Sequence, residues 1–301
     1  MSTIQSPPDM PGTEPQDTAP GTEAGPGLFR RMLSQRQARI GLVLTGSIVL
    51  VSVLGPLLLP WATGYTSTEF SGRPFQPDGL FGTDNLGRDV LSRFLDGGLR
   101  LLAYSAAATA LGMVLGTALG MIAAYQGGKI DSLIMRGNDV LLALPQLVFA
   151  LLAITVLGPQ GWVLVTVIGI THAPRIARVT RSATSSVITE DFVRAAEMYA
   201  VPRWKILARD VLPNITGPLM VELGLRMTYS IAAIASLSFL GLGLQPPTAD
   251  WGLMINENRI ALTIQPWGVI LPVLAIAVLT VGINLITDSL ARASATIEES
   301  K

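Results

Sequence analysis

The sequence predicts an all-α polytopic membrane protein that crosses the bilayer six times. Half of its 301 residues are hydrophobic and only 14% are charged, while the mean hydropathy is +0.50. This composition is typical of a membrane protein and excludes a soluble domain with a large core. The second observation is a series of apolar runs, most of them long enough to cross about 30 Å of hydrocarbon as helices.

The predicted spans divide the chain into a membrane domain and two tails. Residues 1–28 are rich in Pro, Gly and Thr and predict a disordered cytosolic tail. Residues 29–292 form the predicted transmembrane domain, and residues 293–301 a cytosolic carboxyl-terminal tail. A Gly-Pro-Gln-Gly break at 158–161 splits one long uncharged run into a hairpin of the third and fourth spans. The spans are residues 40–59, 101–126, 133–157, 162–179, 215–244 and 264–286.

The Lys and Arg residues predict the orientation of these spans. With the amino terminus inside the cell, most basic residues fall in cytosolic segments. The opposite side then holds only Arg73, Arg88, Arg93, Arg100 and Arg259. We therefore expect a multi-pass protein of the cytoplasmic (inner) membrane with both termini in the cytosol.

The segment of residues 190–214 is charged and helix-compatible, and it lies between the fourth and fifth spans. Apolar residues recur at helical spacing on both sides of Pro202, which interrupts the pattern. The pattern predicts a helix-turn-helix at the cytosolic face. A solvated loop that merely joins two spans explains the pattern alone equally well.

The longest external loop, residues 60–98, contains a second amphipathic stretch. Within it, Asp84 is a candidate N-cap for a helix of residues 84–93, with Leu86, Val90 and Phe94 on one apolar face. Such a helix would lie on the outer surface of the membrane domain or line its entrance. A lid that only covers the bundle is an equal alternative.

Two features of the predicted spans concern packing and charge. Gly112, Gly116 and Gly120 recur every fourth residue, which allows close approach of another helix, more often within one chain than across a dimer. Glu222 and Arg226 are four residues apart in the fifth span, so they can form an ion pair inside the membrane. Mutual neutralisation is the favoured role of this pair, and contact with a charged substrate is the alternative.

The sequence holds no pattern of a catalytic or metal site. Cysteine is absent, His172 is the single histidine, and none of the three lysines lies in a phosphate-binding loop. A nucleophile elbow, a zinc-binding histidine pair and a dinucleotide fingerprint are missing as well. We therefore expect a non-catalytic chain with no metal or cofactor of its own, and any ATPase that drives it is a separate polypeptide.

Three stretches resemble one family of transporters. FGTDNLGRDVLSR (residues 81–93), DVLLALPQLVFALL (139–152) and LSFLGLGLQPPTADWGLMINENR (237–259) are similar to the C-type permease subunit of dipeptide and oligopeptide ABC importers. The cytosolic segment also resembles the loop shared by permeases of binding-protein-dependent importers. Arg194 replaces the glutamate of that motif, and Ala200 replaces its glycine. Alanine resists the positive φ that glycine allows, which puts the sharpness of the turn in question.

The resemblance implies the type I ABC importer permease fold with a cytosolic coupling helix. It also implies a homologous B-type permease, one or two ABC ATPase subunits that use ATP and magnesium, and an extracytoplasmic peptide-binding protein. A peptide substrate and membrane lipid are the other expected partners, and no nucleic acid partner is expected. The residues expected to couple to the ATPase are Phe192, Arg194, Ala195, Ala196, Glu197, Ala200, Leu212 and Pro213. Those expected at the external entrance or against the binding protein are Asp84, Asn85, Arg88, Asp89, Gln245, Trp251 and Asn256.

The function expected from the resemblance is ATP-driven import of dipeptides or short oligopeptides. Because similar subunits occur in nickel and glutathione importers, those cargoes remain alternatives. An ion-driven secondary transporter with Glu222, Arg226 and Asp288 as a charge relay is a further alternative. No obvious inverted repeat with paired broken helices, a feature of many such transporters, accompanies these charges.

Overall fold

The computed structural model describes residues 32–298, which form a bundle of α-helices. The predicted tail of residues 1–28 and the last three residues of the chain lie outside the described residues. The helices are α1 (Arg36–Ala62), α2 (Val90–Gln126), α3 (Gly128–Ala143), α4 (Gln146–Leu157), α5 (Gly161–Val187), α6 (Asp191–Met198), α7 (Thr216–Phe239), α8 (Trp251–Asn258) and α9 (Trp267–Glu298). A helical turn at Arg203–Lys205, a π-helical stretch at Ile206–Val211 and a 3₁₀ turn at Leu212–Ile215 lead into α7.

The helices cover most of each predicted span. Among the described residues, α1, α2, α9 and the run from Arg203 to Phe239 are long and apolar enough to cross a membrane, and the bent pair α3 and α4 can supply a fifth crossing. The predicted fourth span lies in α5, whose second half carries Arg175, Arg178 and Arg181. The count of six spans therefore stays a prediction.

The third span is not the single helix that its apolar run predicts. α3 ends at Ala143, α4 begins at Gln146, and the two axes meet at 83°. The cause is Pro145, which disfavours helical geometry at the residue before it. Leu144 is accordingly extended, with a ψ of 128°. Apolarity alone does not reveal this break.

The helix predicted for residues 84–93 begins later in the chain than the prediction has it. The helix begins at Val90, and its N-cap is Asp89, whose carboxylate accepts the Ser92 N–H at 2.7 Å. Asp84 instead accepts the N–H groups of Leu86 and Arg88, each at 2.9 Å, and so closes a turn ahead of the helix. From Val90 the helix runs without a break into the second span.

The glycines of α2 pack against α5 of the same chain. A Cβ added to Gly116 would lie 2.5 Å from Ile176 Cβ, and one added to Gly120 would lie 2.5 Å from the Ala177 carbonyl oxygen. Gly112 meets α5 one turn earlier, at the carbonyl of Gly169. The interpretation as packing within one chain is confirmed. Only residues without a side chain allow the two backbones to come this close.

The described ends of the chain and the start of α7 lie together at one end of the bundle. Met32 and Ala38 pack against Leu290 and Ala293. A Cβ added to Gly217 in α7 would lie 3.6 Å from a side-chain carbon of α9. The loop between α1 and α2 lies with α8 at the other end of the bundle.

Candidate functional site

α6 is a short helix whose first turn suits its sequence. Glu190 has extended geometry at the N-cap, and Asp191 places a negative charge near the positive end of the helix dipole. The observed bounds, Asp191–Met198, lie within two residues of the helix expected around residues 192–200. The charged segment is therefore a helix followed by a turn and a second helical stretch, and it is not an irregular loop.

The turn after α6 keeps the geometry that a glycine would give. Ala200 has a φ of +54°, and its N–H donates to the Glu197 carbonyl at 2.9 Å. The Val201 N–H donates to the Ala196 carbonyl at 3.1 Å. These two bonds form the Schellman motif that ends many helices. The turn is therefore as tight as it would be with glycine, because Ala200 adopts the left-handed conformation at a steric cost.

The inner side of the segment of residues 190–215 packs into the bundle. Val193 is buried in a cluster with Ile206, Val211 and Ile215, and Ala196 and Leu212 are half-buried against it. Two polar contacts fasten the same segment to the end of α2. The Tyr125 hydroxyl donates to the Glu197 carboxylate at 2.6 Å, and the Arg203 guanidinium donates to the Gln126 side chain at 3.3 Å. The hydrogen bonds join α6 and the turn after it to α2, and the apolar cluster also contains residues of α2, α5 and α7.

The outer side of the same segment is exposed and partly aromatic. The exposed fractions are 46% for Phe192, 86% for Met198, 84% for Tyr199 and 67% for Trp204. Arg194 and Ala195 are exposed on the same short helix, whereas Pro213 is exposed within the 3₁₀ turn. A group of large exposed apolar side chains is typical of a surface that another protein or the membrane covers.

Two ion pairs tie α3 to α5 beside this segment. The Arg181 guanidinium donates to both carboxylate oxygens of Asp131, each at 2.5 Å. Arg178 pairs with Asp139 one helical turn away. Both pairs are partly exposed, so we attribute alignment of the helices to them and little stability.

At the opposite end, four charged side chains form a buried network. Arg88 Nε donates to Asp84 Oδ2 at 2.7 Å, and Arg88 Nη2 donates to Glu257 Oε2 at 3.1 Å. Arg93 Nη2 reaches the same Glu257 oxygen at 3.0 Å, and its Nε lies 3.4 Å from Asp84 Oδ2. Two carboxylates and two guanidiniums cancel in charge. They join the external turn to α8, which lies more than 160 residues away in sequence.

Further buried contacts hold α8 next to this network. Trp251 is fully buried, stacks on Phe94 with ring centroids 5.4 Å apart, and donates its indole N–H to the Phe94 carbonyl at 2.8 Å. Asp250 caps α8 by accepting the Leu253 N–H at 3.0 Å. Burial raises the pKa of the Asp250 carboxyl above its ordinary value. α8 therefore forms a platform, fixed by buried contacts, at this end of the bundle.

The residues predicted for external contact fall into two groups. Asp84, Arg88, Asp89 and Trp251 are buried, so in this conformation they hold the platform together and offer no surface to a partner. The sequence pattern did not reveal this burial, because charged residues in a loop are usually solvated. Asn85, Gln245 and Asn256 are the predicted residues that reach the surface.

The predicted pair in the fifth span is formed. Arg226 Nε lies 2.6 Å from Glu222 Oε1, and both side chains are less than 10% exposed. One turn further along α7, the Ser230 hydroxyl lies 3.0 Å from His172 Nε2 and 2.8 Å from the Thr109 hydroxyl. These contacts fit the favoured role of Glu222 and Arg226, which is mutual neutralisation, and they give His172 a hydrogen-bonded packing position.

Tyr125, Glu257 and Asn258 are among the residues of these sites that sequence reasoning missed. Glu257 and Asn258 lie one helical turn after Leu253 and Met254, both of which are buried, so the helical period of α8 could have placed them inward. Asn258 accepts the Asn85 N–H at 3.2 Å. Tyr125 carries no comparable signal, since its partner Glu197 is distant in sequence.

The chain matches a known protein family and several relatives. The model of the binding-protein-dependent transport system inner membrane component matches residues 116–296. The dipeptide transport system permease protein DppC of Alkalihalophilus pseudofirmus is 34% identical, over 94% of this chain and 92% of the relative. The glutathione transport system permease protein GsiD of Pectobacterium atrosepticum is also 34% identical, over 87% of each chain. The oligopeptide transport system permease protein OppC of Bacillus subtilis is 30% identical, over 86% of this chain and 85% of the relative.

A solved structure shares the fold. An inward-facing form of the MetNI methionine ABC transporter contains a chain that superposes with a TM-score of 0.53 at 14% identity, and the match covers 67% of this chain and 95% of that one. This similarity supports the type I importer permease fold and says nothing about cargo. The family model and the relatives agree: the chain belongs to the binding-protein-dependent transport system inner membrane components.

Proposed function

We propose that this chain is the permease subunit of an ATP-driven importer that moves dipeptides or short oligopeptides across the cytoplasmic membrane. Membership of the family makes it a membrane component of a transport system. The names of relatives such as the dipeptide and oligopeptide permeases favour peptides as cargo. The chain itself binds no ATP in this proposal; ATP and magnesium belong to separate ATPase subunits.

The observation that carries the proposal is the two-sided character of α6. Its outer side presents Phe192, Met198 and Tyr199 to solvent, while its inner side is held by the buried Val193. In the proposed mechanism, the ATPase grips the outer side in a groove. Closure of the two ATPase domains on ATP moves α6, and the bonds from Glu197 and Arg203 carry that motion to α2. Hydrolysis then returns the permeases to the inward-facing state.

The proposed orientation puts α6 and both chain ends in the cytosol. The end of the bundle that holds α6 also carries Arg36, Arg39 and Arg203, in keeping with the excess of positive charge on the cytosolic side. The external platform then faces the binding protein. We assign the contact to the exposed Gln245 and the half-buried Asn85 and Asn256.

Uptake into proteoliposomes tests the proposal. The chain would be reconstituted with its homologous permease and ATPase subunits, and accumulation of a labelled dipeptide would be followed with ATP inside and binding protein outside. We expect uptake that requires ATP, magnesium and the binding protein together. Uptake of glutathione or nickel in place of dipeptide would identify that compound as the cargo. Uptake without ATP would contradict the proposal.

A further inference from the structure

A cleft of about 430 Å³ opens between α1, α2 and α7, with α9 as its floor. Ile283 and Leu290 of α9 and Met32 form buried parts of its wall. The rim is exposed and apolar, with Leu42 and Leu223 at 39% and 37%. α1 meets α2 closely near Gly55 and Leu95 and near Ser52 and Gly98. The cleft lies further toward the start of α1, where Leu42 lines it, and forms a wedge between the two helices.

The lining leaves no polar group free for a hydrophilic ligand. Its two hydroxyls are already engaged: Thr109 bonds Ser230 at 2.8 Å, and Thr287 donates to the Ile283 carbonyl at 2.9 Å. A peptide in this cleft would bury its charged ends without partners, at a large cost in free energy. An apolar cavity of this kind stays dry and instead takes apolar ligands.

Two apolar occupants suit a cleft of about 430 Å³ with an exposed apolar rim, a hydrocarbon chain of the bilayer or a helix of a second membrane protein. A hydrocarbon chain is flexible and can follow the irregular wall of the cleft, and the surrounding medium is made of such chains. The charge beside the mouth favours the lipid over the helix.

A positive charge lies beside the mouth. Arg39 precedes the rim residue Leu42 by three positions on α1, and side chains at this spacing share one face of a helix. Arg39 is exposed and forms no ion pair among residues 32–298. Arg36 adds a second exposed cation one turn earlier, and residues 32–61 contain no Asp or Glu.

From these observations we infer that the cleft binds one acyl chain of an anionic phospholipid, with its phosphate at Arg39. The positive residues lie at the end of the bundle that carries both described chain ends, so the lipid belongs to that leaflet. Its chain fills the wedge between α1 and α2 and restores the dispersion contacts that an empty space would lose. The inference does not depend on the cargo of the transporter.

Photolabelling of the full chain in nanodiscs tests this site. The probe is phosphatidylglycerol with a diazirine in one acyl chain, and labelled positions are mapped by mass spectrometry. We expect labels on Ile283 and Leu290, which are only 8% exposed and are reached only from inside the cleft. Ala106→Phe should lower this labelling several-fold, because Ala106 lines the cleft. The neighbouring Ala107, also exposed, is outside the lining, so Ala107→Phe is the matched control and should leave the labels unchanged.

A second pair of variants tests the headgroup. Arg39→Gln should weaken labelling by phosphatidylglycerol several-fold, while Arg136→Gln, an exposed arginine on α3, should not. Labels confined to outward residues, or equal labelling in Ala106→Phe and Ala107→Phe, would overturn the site. If deleting residues 2–27 increased labelling of Ile283 and Leu290, the amino-terminal segment would be the resident occupant, which would also overturn the inference.

Discussion

At the scale of single residues, Ala200 adopts a left-handed backbone conformation that usually requires glycine. Its φ of +54° places an alanine where glycine is normally found. The two backbone bonds of the Schellman turn hold it there. The left-handed conformation costs an L-residue about 1 kcal/mol, and the packing of α6 offsets this cost.

This strain predicts opposite effects for two alanine-to-glycine changes. Ala200→Gly should raise the free energy of unfolding by about 1 kcal/mol, because glycine adopts positive φ freely. Ala195→Gly, in the middle of α6, should lower it by about 1 kcal/mol through helix propensity. Reversible unfolding in detergent measures both. A loss of stability in Ala200→Gly would show that the turn is not strained.

The intramembrane pair predicts strong coupling between two substitutions. Glu222→Leu or Arg226→Met alone should each destabilise the chain by about 3–5 kcal/mol, because a single buried charge is left without its partner. The double variant should recover most of this loss, since both charges are removed. The same unfolding assay, combined with an uptake assay, separates the two roles of the pair. A stable double variant that transports normally supports mutual neutralisation, and a stable one that fails to transport favours contact with substrate.

At the scale of elements, the close packing of α2 on α5 depends on the absence of side chains. Gly116→Ala would place a Cβ 2.5 Å from Ile176 Cβ and should destabilise the bundle by about 1–3 kcal/mol through overpacking. Gly46 of α1 has open space around its Cβ position, so Gly46→Ala should be neutral or slightly stabilising. Melting temperatures of the two variants check this contrast. Equal effects would contradict the packing account.

α8 and the turn of residues 84–89 form a platform that should loosen locally when one carboxylate of the charged network is lost. Glu257→Gln removes the charge that Arg88 and Arg93 share, which leaves two buried cations with only Asp84 to balance them. Amide hydrogen exchange should then speed up in α8 and in residues 84–89 and stay unchanged in α6. Asp288→Asn, an exposed carboxylate on α9, is the control. Unchanged exchange in α8 would show that the network does not hold the platform.

The elements also show what the sequence could and could not predict. The apolar runs placed the helices, and the helical period of residues 190–214 predicted α6 and its turn. The break at Pro145 was missed because hydropathy averages over a window and ignores one proline in an apolar run. The burial of Asp84 and Arg88 was missed because their partner Glu257 is distant in sequence, and only the folded chain brings these charges together.

At the scale of the whole molecule, the bundle has two specialised ends. One end carries an exposed aromatic surface on a helix that is fastened to α2, α5 and α7. The other carries a platform locked by buried charges, with a few polar side chains at its surface. This division fits the proposed function, in which cargo enters at one end of the bundle and an ATPase acts on the other end. Of the residues proposed to couple to an ATPase, Ala195 is exposed, whereas Ala196 is half-buried against the apolar cluster of the segment.

The central claim is that the outer side of α6 couples this chain to an ATPase, and Ala195→Glu tests it most directly. The measurement is ATP-dependent dipeptide uptake by the reconstituted complex, together with co-purification of the ATPase subunits. We predict that uptake is lost and that the ATPase either dissociates or hydrolyses ATP without transport, while membrane insertion and unfolding stability stay normal. Ala195→Ser should retain uptake. Normal uptake and normal assembly in Ala195→Glu would contradict the account.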